Sequence, residues 1–264
     1  MIIVGELINA SRKAVGQAIK EQDSTAIREL AKSQYENGAN FIDVNAGIFV
    51  EKEVEYLKWV VENVQEEAEV PCCIDSPNPA AIEKSLYIHK GTAMINSISL
   101  EKDRFDKLIP LLSGSDLKII ALCMSDEGMP ETADERFIIA EKLVNELVRN
   151  NVSLDNIYVD PLVQPVSTNI HYGMACLDAI ERIKKALGGC HTICGLSNIS
   201  YGLPVRKLLN RTFVSMAIAK GLDAVIINPL DNLITSTITA GLALSGQDDF
   251  CMEYIKAYRA DRLS

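Results

Sequence analysis

The sequence predicts an α/β fold, a single closed (β/α)8 TIM barrel occupying residues 1–264. Eight short apolar runs alternate with eight stretches of helical periodicity. The runs are apolar on both faces, as parallel strands covered by helices must be. The connections are short, so eight strand–helix units fit in about 250 residues. An open doubly wound sheet is the alternative architecture. No Gly-x-Gly-x-x-Gly follows the first strand, which counts against its dinucleotide-binding form.

Residues 2–8 are mainly apolar and β-branched, and this first strand ends at Asn9-Ala10-Ser11. Residues 25–37 carry Ala26, Ile27, Leu30, Ala31 and Tyr35 at helical spacing, and Gly38 stops the helix. The second strand, 40–45, ends Asp43-Val44-Asn45. Helix 51–68 is rich in Glu and Lys, with Val54, Leu57, Val61 and Val64 on one face. Strand 71–75 is followed by helix 79–89, and strand 93–97 by helix 103–112. Strand 117–124 precedes a long amphipathic helix, 133–150. Strand 156–160 leads to helix 173–187, strand 192–196 to helix 205–220, and strand 224–228 to helix 232–244. A last helix covers about 248–261.

The hydrophobic share is 48%, enough for a sizeable core, and the formal charge is −10. Nucleic-acid binding favours a basic footprint, so this balance argues against it. Seven cysteines, an odd number lying mostly in apolar runs, suit a reduced cytoplasmic protein better than a disulfide scaffold. The N-terminus lacks the charged and apolar regions of a signal peptide, and no run reaches membrane-span length.

Five apolar runs end in a carboxylate or carboxamide: Asp43, Asp75, Asn96, Asp160 and, just past the run from Thr192, Asn198. In a barrel these ends gather at one face, where active sites lie. Taken singly, Asp75 before Ser76-Pro77 and Asp160 before Pro161 read equally well as turn or cap residues. On successive strands they describe a pocket. Asp75, Asn96, Asp160 and Asn198 suit a flat heterocycle with an amidine-like donor edge, such as a pterin. Arg206, after a Pro-containing loop, reads either as a holder of an anionic tail or as a solvated arginine.

No bound metal is expected. The three histidines are dispersed, and in Cys190-His191-x-x-Cys194 the first two residues precede a strand that contains the third, whereas zinc needs convergent ligands. Cys72 and Cys73 alternate across a strand and read as core. No nucleophile elbow or P-loop is present.

Several motifs occur in order: Gly5-Glu6-x-Ile8-Asn9, Asp43-Val44-Asn45, Cys73-Ile74-Asp75-Ser76, Ala93-Met94-Ile95-Asn96-Ser97 and Tyr158-Val159-Asp160-Pro161-Leu162. Gly195-Leu196-Ser197-Asn198-Ile199-Ser200 follows, then Asn210-Arg211-Thr212-Phe213 and Ala219-x-Gly221-Leu222-Asp223-Ala224. In these the chain closely resembles the methyltetrahydrofolate:corrinoid/iron-sulfur protein methyltransferases. These are pterin-binding barrels related to the folate domain of cobalamin-dependent methionine synthase. The resemblance covers nearly the whole length.

The resemblance implies transfer of the N5-methyl group between 5-methyltetrahydrofolate and cob(I)alamin, the cobalamin being supplied by a separate corrinoid protein. It implies that Asp75, Asn96 and Asp160 hold the pterin ring, that Asn198 hydrogen-bonds near N5, and that Ser197 and Arg206 lie nearby. It also suggests a homodimer. The family has a glutamine three residues after its asparagine, where this chain has Tyr201. Dihydropteroate synthases share the barrel but carry a late Ser-x-Arg-x-His motif, and nothing like it follows Ala224. A non-catalytic pterin- or corrinoid-protein-binding subunit is the reading of another class, and the intact Asp75, Asn96, Asp160 and Asn198 set argues against it.

Overall fold

A computed structural model describes residues 1–263 of the chain. Eight parallel strands close into a barrel in sequence order, β1 to β8. They are β1 (Ile2–Asn9), β2 (Phe41–Asn45), β3 (Cys72–Asp75), β4 (Met94–Leu100), β5 (Lys118–Ser125), β6 (Ile157–Asp160), β7 (His191–Gly195) and β8 (Ala224–Ile227). Closure is made by β1 on β8, with Ile2 beside Ala224 and Gly5 beside Ile227.

Helices wrap the outside. They are α1 (Lys13–Glu21), α2 (Ser24–Glu36), α3 (Glu53–Glu67), α4 (Pro79–Leu86), α5 (Lys102–Leu112) and α6 (Ala133–Arg149), followed by α7 (Tyr172–Ala186), α8 (Arg206–Ala219), α9 (Asn232–Leu244) and α10 (Met252–Arg259). Among the described residues no helix is long and apolar enough to cross a membrane.

The expected eight strand–helix units are all present. α1 is an addition that the sequence reading missed. Its nine residues include Gly16, a poor helix former. Gly16 is there for closeness: a Cβ would stand 2.5 Å from the Ala10 carbonyl oxygen. The terminal helix is shorter than expected, a 3-10 turn at Asp249–Cys251 preceding α10.

The interior shows why five of the strands turn polar toward the mouth. Val4, Phe41, Cys73, Met94, Ile120, Tyr158, Ile193 and Ala224 form one buried cluster inside the barrel, one residue from each strand. Strand side chains alternate faces with period two. The residues two positions on therefore face the same interior, one layer nearer the C-terminal mouth: Glu6, Asp43, Asp75, Asn96, Leu122, Asp160, Gly195 and Ile226. The intervening residues, such as Ile42, Ile74, Ile95 and Val159, join the helix-facing core. Cys72 and Cys73 fall into different clusters, on opposite faces of β3.

Between Gly5 and Ile8, β1 gains one residue over β2, a bulge at the rim of the barrel. The Leu7 N–H turns to Gln34 Oε1 on α2, at 3.0 Å.

Candidate active site

The polar layer holds four carboxyl groups. Asp75 and Asn96 are register partners on β3 and β4. Asn96 Nδ2 donates to Asp43 Oδ1 at 3.2 Å, and Asn45 Nδ2 donates to Asp75 Oδ2 at 2.7 Å. Asp160 Oδ1 accepts the Leu162 N–H at 2.8 Å, and the Gly195 N–H favours the ionised form of this carboxyl. Asp75 and Asn96 thus each have one side-chain atom tied to the protein and keep another to offer a ligand. That fixes their orientation before anything binds.

Burial governs the charge of this layer. It raises the Asp43 carboxyl well above the usual range, and the neighbouring Asp75 adds to the effect. It raises Asp75 too, against the lowering pull of the Asn45 bond and of Arg104. Asp160 is pushed up to about 6 by burial, against two backbone N–H bonds and Arg136. Glu6 is also raised by burial, although Arg12 pairs with it at 2.9 Å. Carboxyls brought together in a low dielectric hold protons that water would remove.

Three further groups brace the mouth. Arg104 on α5 donates to the carbonyls of Ser76, Pro77 and Ser97 at 3.0, 3.1 and 2.6 Å, tying the loops after β3 and β4 together. Buried Glu53 accepts the Ser76 hydroxyl. Arg206, at the start of α8, donates to Ser197 O at 2.6 Å and Ser200 Oγ at 3.1 Å.

Ser197 and Asn198 lie on a 3-10 turn, Leu196–Ser200, directly after β7. Ser197 and Glu6 line the same cavity. Asn198 is exposed. Gly195 makes room for it, since a Cβ there would stand 3.3 Å from Asn198 Nδ2. Tyr201 is 65% exposed and its ring lies 5.8 Å from the Arg206 guanidinium. A cavity of about 260 Å³ opens between these elements, bordered by Glu6, Arg12, Ser197, Arg206, Asn228 and Asp231. A larger cavity of about 490 Å³ lies at the other end, by Met1 and α10, away from the polar layer.

The barrel therefore brings Asp75, Asn96 and Asp160 into one layer, with Ser197 lining a cavity beside Glu6 of that layer. Arg206 braces the turn that carries Asn198 and also borders the cavity beside it. Asp43, named from the sequence only as a polar strand end, and Asn45, Glu6 and Arg104 belong to the constellation and were given no ligand role from the sequence. Period-two counting from Val4 and Phe41 would have found the first three. Arg104 sits on a helix facing backbone carbonyls, and nothing local marks it.

Among the described residues no group of three or more His, Cys, Asp and Glu side chains is placed to hold a metal. Cys190 Sγ bonds the Leu187 carbonyl, Cys194 packs in the helix-facing core, and His191 stacks on Tyr158 with centroids 4.7 Å apart.

The chain is similar over its whole length to the methylcorrinoid:tetrahydrofolate methyltransferase of Eubacterium limosum, with 36% identity across 100% of this chain and 98% of that protein. It is 28% identical to the methionine synthase of Mycobacterium tuberculosis over 86% of this chain and 20% of that much longer protein. Among solved structures, the dihydropteroate synthase of Anaplasma phagocytophilum with bound 6-hydroxymethylpterin-monophosphate superposes with a TM-score of 0.70. It shares 20% identity over 92% of this chain and 99% of that one. The dihydropteroate synthase of Coxiella burnetii in complex with pteroic acid gives 0.70 at 12% identity, over 92% and 93% of the two chains. At such identities these two establish the fold alone. The model of the pterin binding enzymes matches residues 5–228, the span from the β1 bulge to the end of β8 that carries the whole polar layer. With that match and the full-length relative, the chain belongs to the pterin-binding enzyme family.

Proposed function

We propose that this chain, acting as a single pterin-binding methyltransferase domain, moves a methyl group between N5 of a folate and the cobalamin of a corrinoid protein. The observation that carries the reading is the full-length similarity to the Eubacterium limosum enzyme, whose name states both a methylcorrinoid and tetrahydrofolate. That name sets the methylcorrinoid as donor and tetrahydrofolate as acceptor, and we read the same direction here. A homodimer in the cytoplasm is part of the same reading.

The polar layer suits the pterin. Asp75 and Asp160 supply acceptors for adjacent N–H donors, and Asn96 keeps its carbonyl for a mixed edge while its amide is held by Asp43. Ser197 and Arg206 set the turn that carries Asn198 beside N5. The corrinoid supplies a nucleophilic or methyl-bearing cobalt centre from the partner's side.

The chain's own task is at N5. N5 is a secondary amine in tetrahydrofolate and a tertiary amine once methylated, so in either direction the step passes through an N5 ammonium that carries both methyl and proton. Asn198 is neutral and no strong acid. Its amide oxygen, directly or through a water, stabilises the protonated N5 as charge develops, with solvent supplying or removing the proton. A hydrogen bond that strengthens in the transition state accelerates the step more than it tightens binding.

The test is anaerobic. The protein is mixed with tetrahydrofolate and methylcobalamin, or with 5-methyltetrahydrofolate and photoreduced cob(I)alamin, and the cobalamin absorbance is followed. Enzyme-dependent interconversion is expected. If neither free cobalamin nor any corrinoid protein supports transfer, the reading fails.

A further inference from the structure

We propose that Arg136 is the positioning residue for Asp160: a buried guanidinium around which the β6–α7 loop is wrapped, so that the loop presents the Asp160 carboxylate to the mouth. The inference rests on the reading of Asp160 as a pterin ligand.

Arg136 is 0% exposed, on the first turns of α6. Among the described residues no carboxylate pairs with it. A buried charge without an acid partner is costly unless hydrogen bonds satisfy it. Its partners are almost all in one loop. Nε donates to Pro161 O at 2.9 Å, and Nη2 donates to Leu162 O at 3.4 Å and to Gln164 Oε1 at 2.5 Å. Nη1 donates to Thr132 O at 3.1 Å, the N-cap of its own helix, and the Tyr172 ring lies 5.7 Å from its centre. Thr132 and Glu135 form a reciprocal capping box, so the helix end that carries the arginine is itself fixed.

The loop needs that support. Leu162 adopts φ +63°, a left-handed conformation disfavoured for a branched side chain. Its N–H is the group that ties down Asp160 Oδ1. The Pro161 and Leu162 carbonyls, which follow Asp160 directly, both point at the guanidinium. The planar fork can hold several carbonyls at once, as a lysine cannot.

Electrostatics agrees. The titratable groups near Asp160 are Cys123 from β5, Cys176 from α7, Cys194 from β7, and Arg136 from α6. Burial pushes all three thiols up, so they stay neutral. Glu135 and Tyr172 face Arg136 from its own helix and from α7. The guanidinium is thus the cation that opposes burial at Asp160.

The experiment measures tetrahydrofolate binding by the full chain between pH 5 and 8, with circular dichroism and a thermal melt as folding controls. Arg136→Met is expected to weaken binding about tenfold at pH 7.5. It should also move the acid limb of the binding profile up by about one pH unit. Arg136→Lys keeps the charge and loses the fork, so its acid limb stays in place while affinity falls at every pH. Gln164→Met removes one loop anchor and weakens binding with the limb unmoved. A folded Arg136→Met variant with wild-type affinity and profile overturns the proposal. If that variant does not fold, wild-type affinity in both Arg136→Lys and Gln164→Met overturns it instead. Wild-type protein that binds no tetrahydrofolate at any pH overturns the folate reading of the site, a separate failure.

Discussion

Asn45 and Asp75 face each other across β2 and β3 as register partners, and Asn45 Nδ2 donates to Asp75 Oδ2 at 2.7 Å. Asn45 Oδ1 in turn accepts the Gly47 N–H at 2.9 Å, so the amide cannot flip without losing both bonds. One oxygen of Asp75 is thereby committed and the other is aimed. Asn45→Ala should weaken folate binding about tenfold, the worth of a hydrogen bond to a charged group. The turnover of bound substrate should change much less. Isothermal titration alongside single-turnover kinetics would separate the two, and unchanged affinity would remove Asn45 from the site.

Asp160 has a stability consequence of definite sign. Its carboxyl stands at about 6 in the fold against an ordinary 3.8. The folded protein therefore keeps the proton to higher pH than the unfolded chain does. The group's contribution is fully present below the unfolded value and is lost as pH rises through the folded one. A shift of about two units corresponds to about 3 kcal/mol. Asp160→Asn removes that titration and sacrifices part of an acceptor worth about 1 kcal/mol. The variant should be more stable than wild type at pH 7.5, and its advantage should shrink as pH falls from 6 to 4. Urea unfolding across that range checks this; a pH-independent difference would contradict the assignment.

Asn198 is exposed on its turn, where its amide can meet a ligand. Asn198→Ala should lower the methyl-transfer rate about a hundredfold, as loss of one transition-state hydrogen bond does. Tetrahydrofolate binding should fall only a few-fold. Equal losses in rate and affinity would leave Asn198 as a binding residue with no part in the chemistry.

Tyr201, where the resemblance leads one to expect glutamine, is turned outward beside Arg206. Its backbone carbonyl accepts the Ser167 hydroxyl at 2.7 Å, a bond that any side chain at this position keeps. Tyr201→Gln is expected to leave folate affinity and transfer with free cobalamin within about twofold. Its effect should show as a change in rate with protein-bound corrinoid. A fall in folate affinity would instead place this ring in the pterin pocket.

Much of the molecule was legible in its residues. Apolar runs flanked by helical periodicity identified all eight strands, because burial on two faces demands continuous apolar sequence. The polar ends at Asp75, Asn96 and Asp160 stood out for the same reason, each interrupting such a run. The helix α1 did not, since Gly16 answers to contact with Ala10 and lowers the local helical signal.

What the sequence by itself determined was the order of elements and the strand ends that turn polar, both consequences of local pattern and solvent. Only the tertiary structure decided closure, because the pairing of Ile2 with Ala224 joins residues at opposite ends of the barrel segment and leaves no local trace. It also decided the company each carboxyl keeps. Asp43 meets Asn96, Asp75 meets Asn45 and Arg104, and Arg136 grips the loop beyond Asp160. Those partners come from different strands and helices, and the charge state of a buried carboxyl depends on which dipoles surround it in space rather than on its neighbours along the chain.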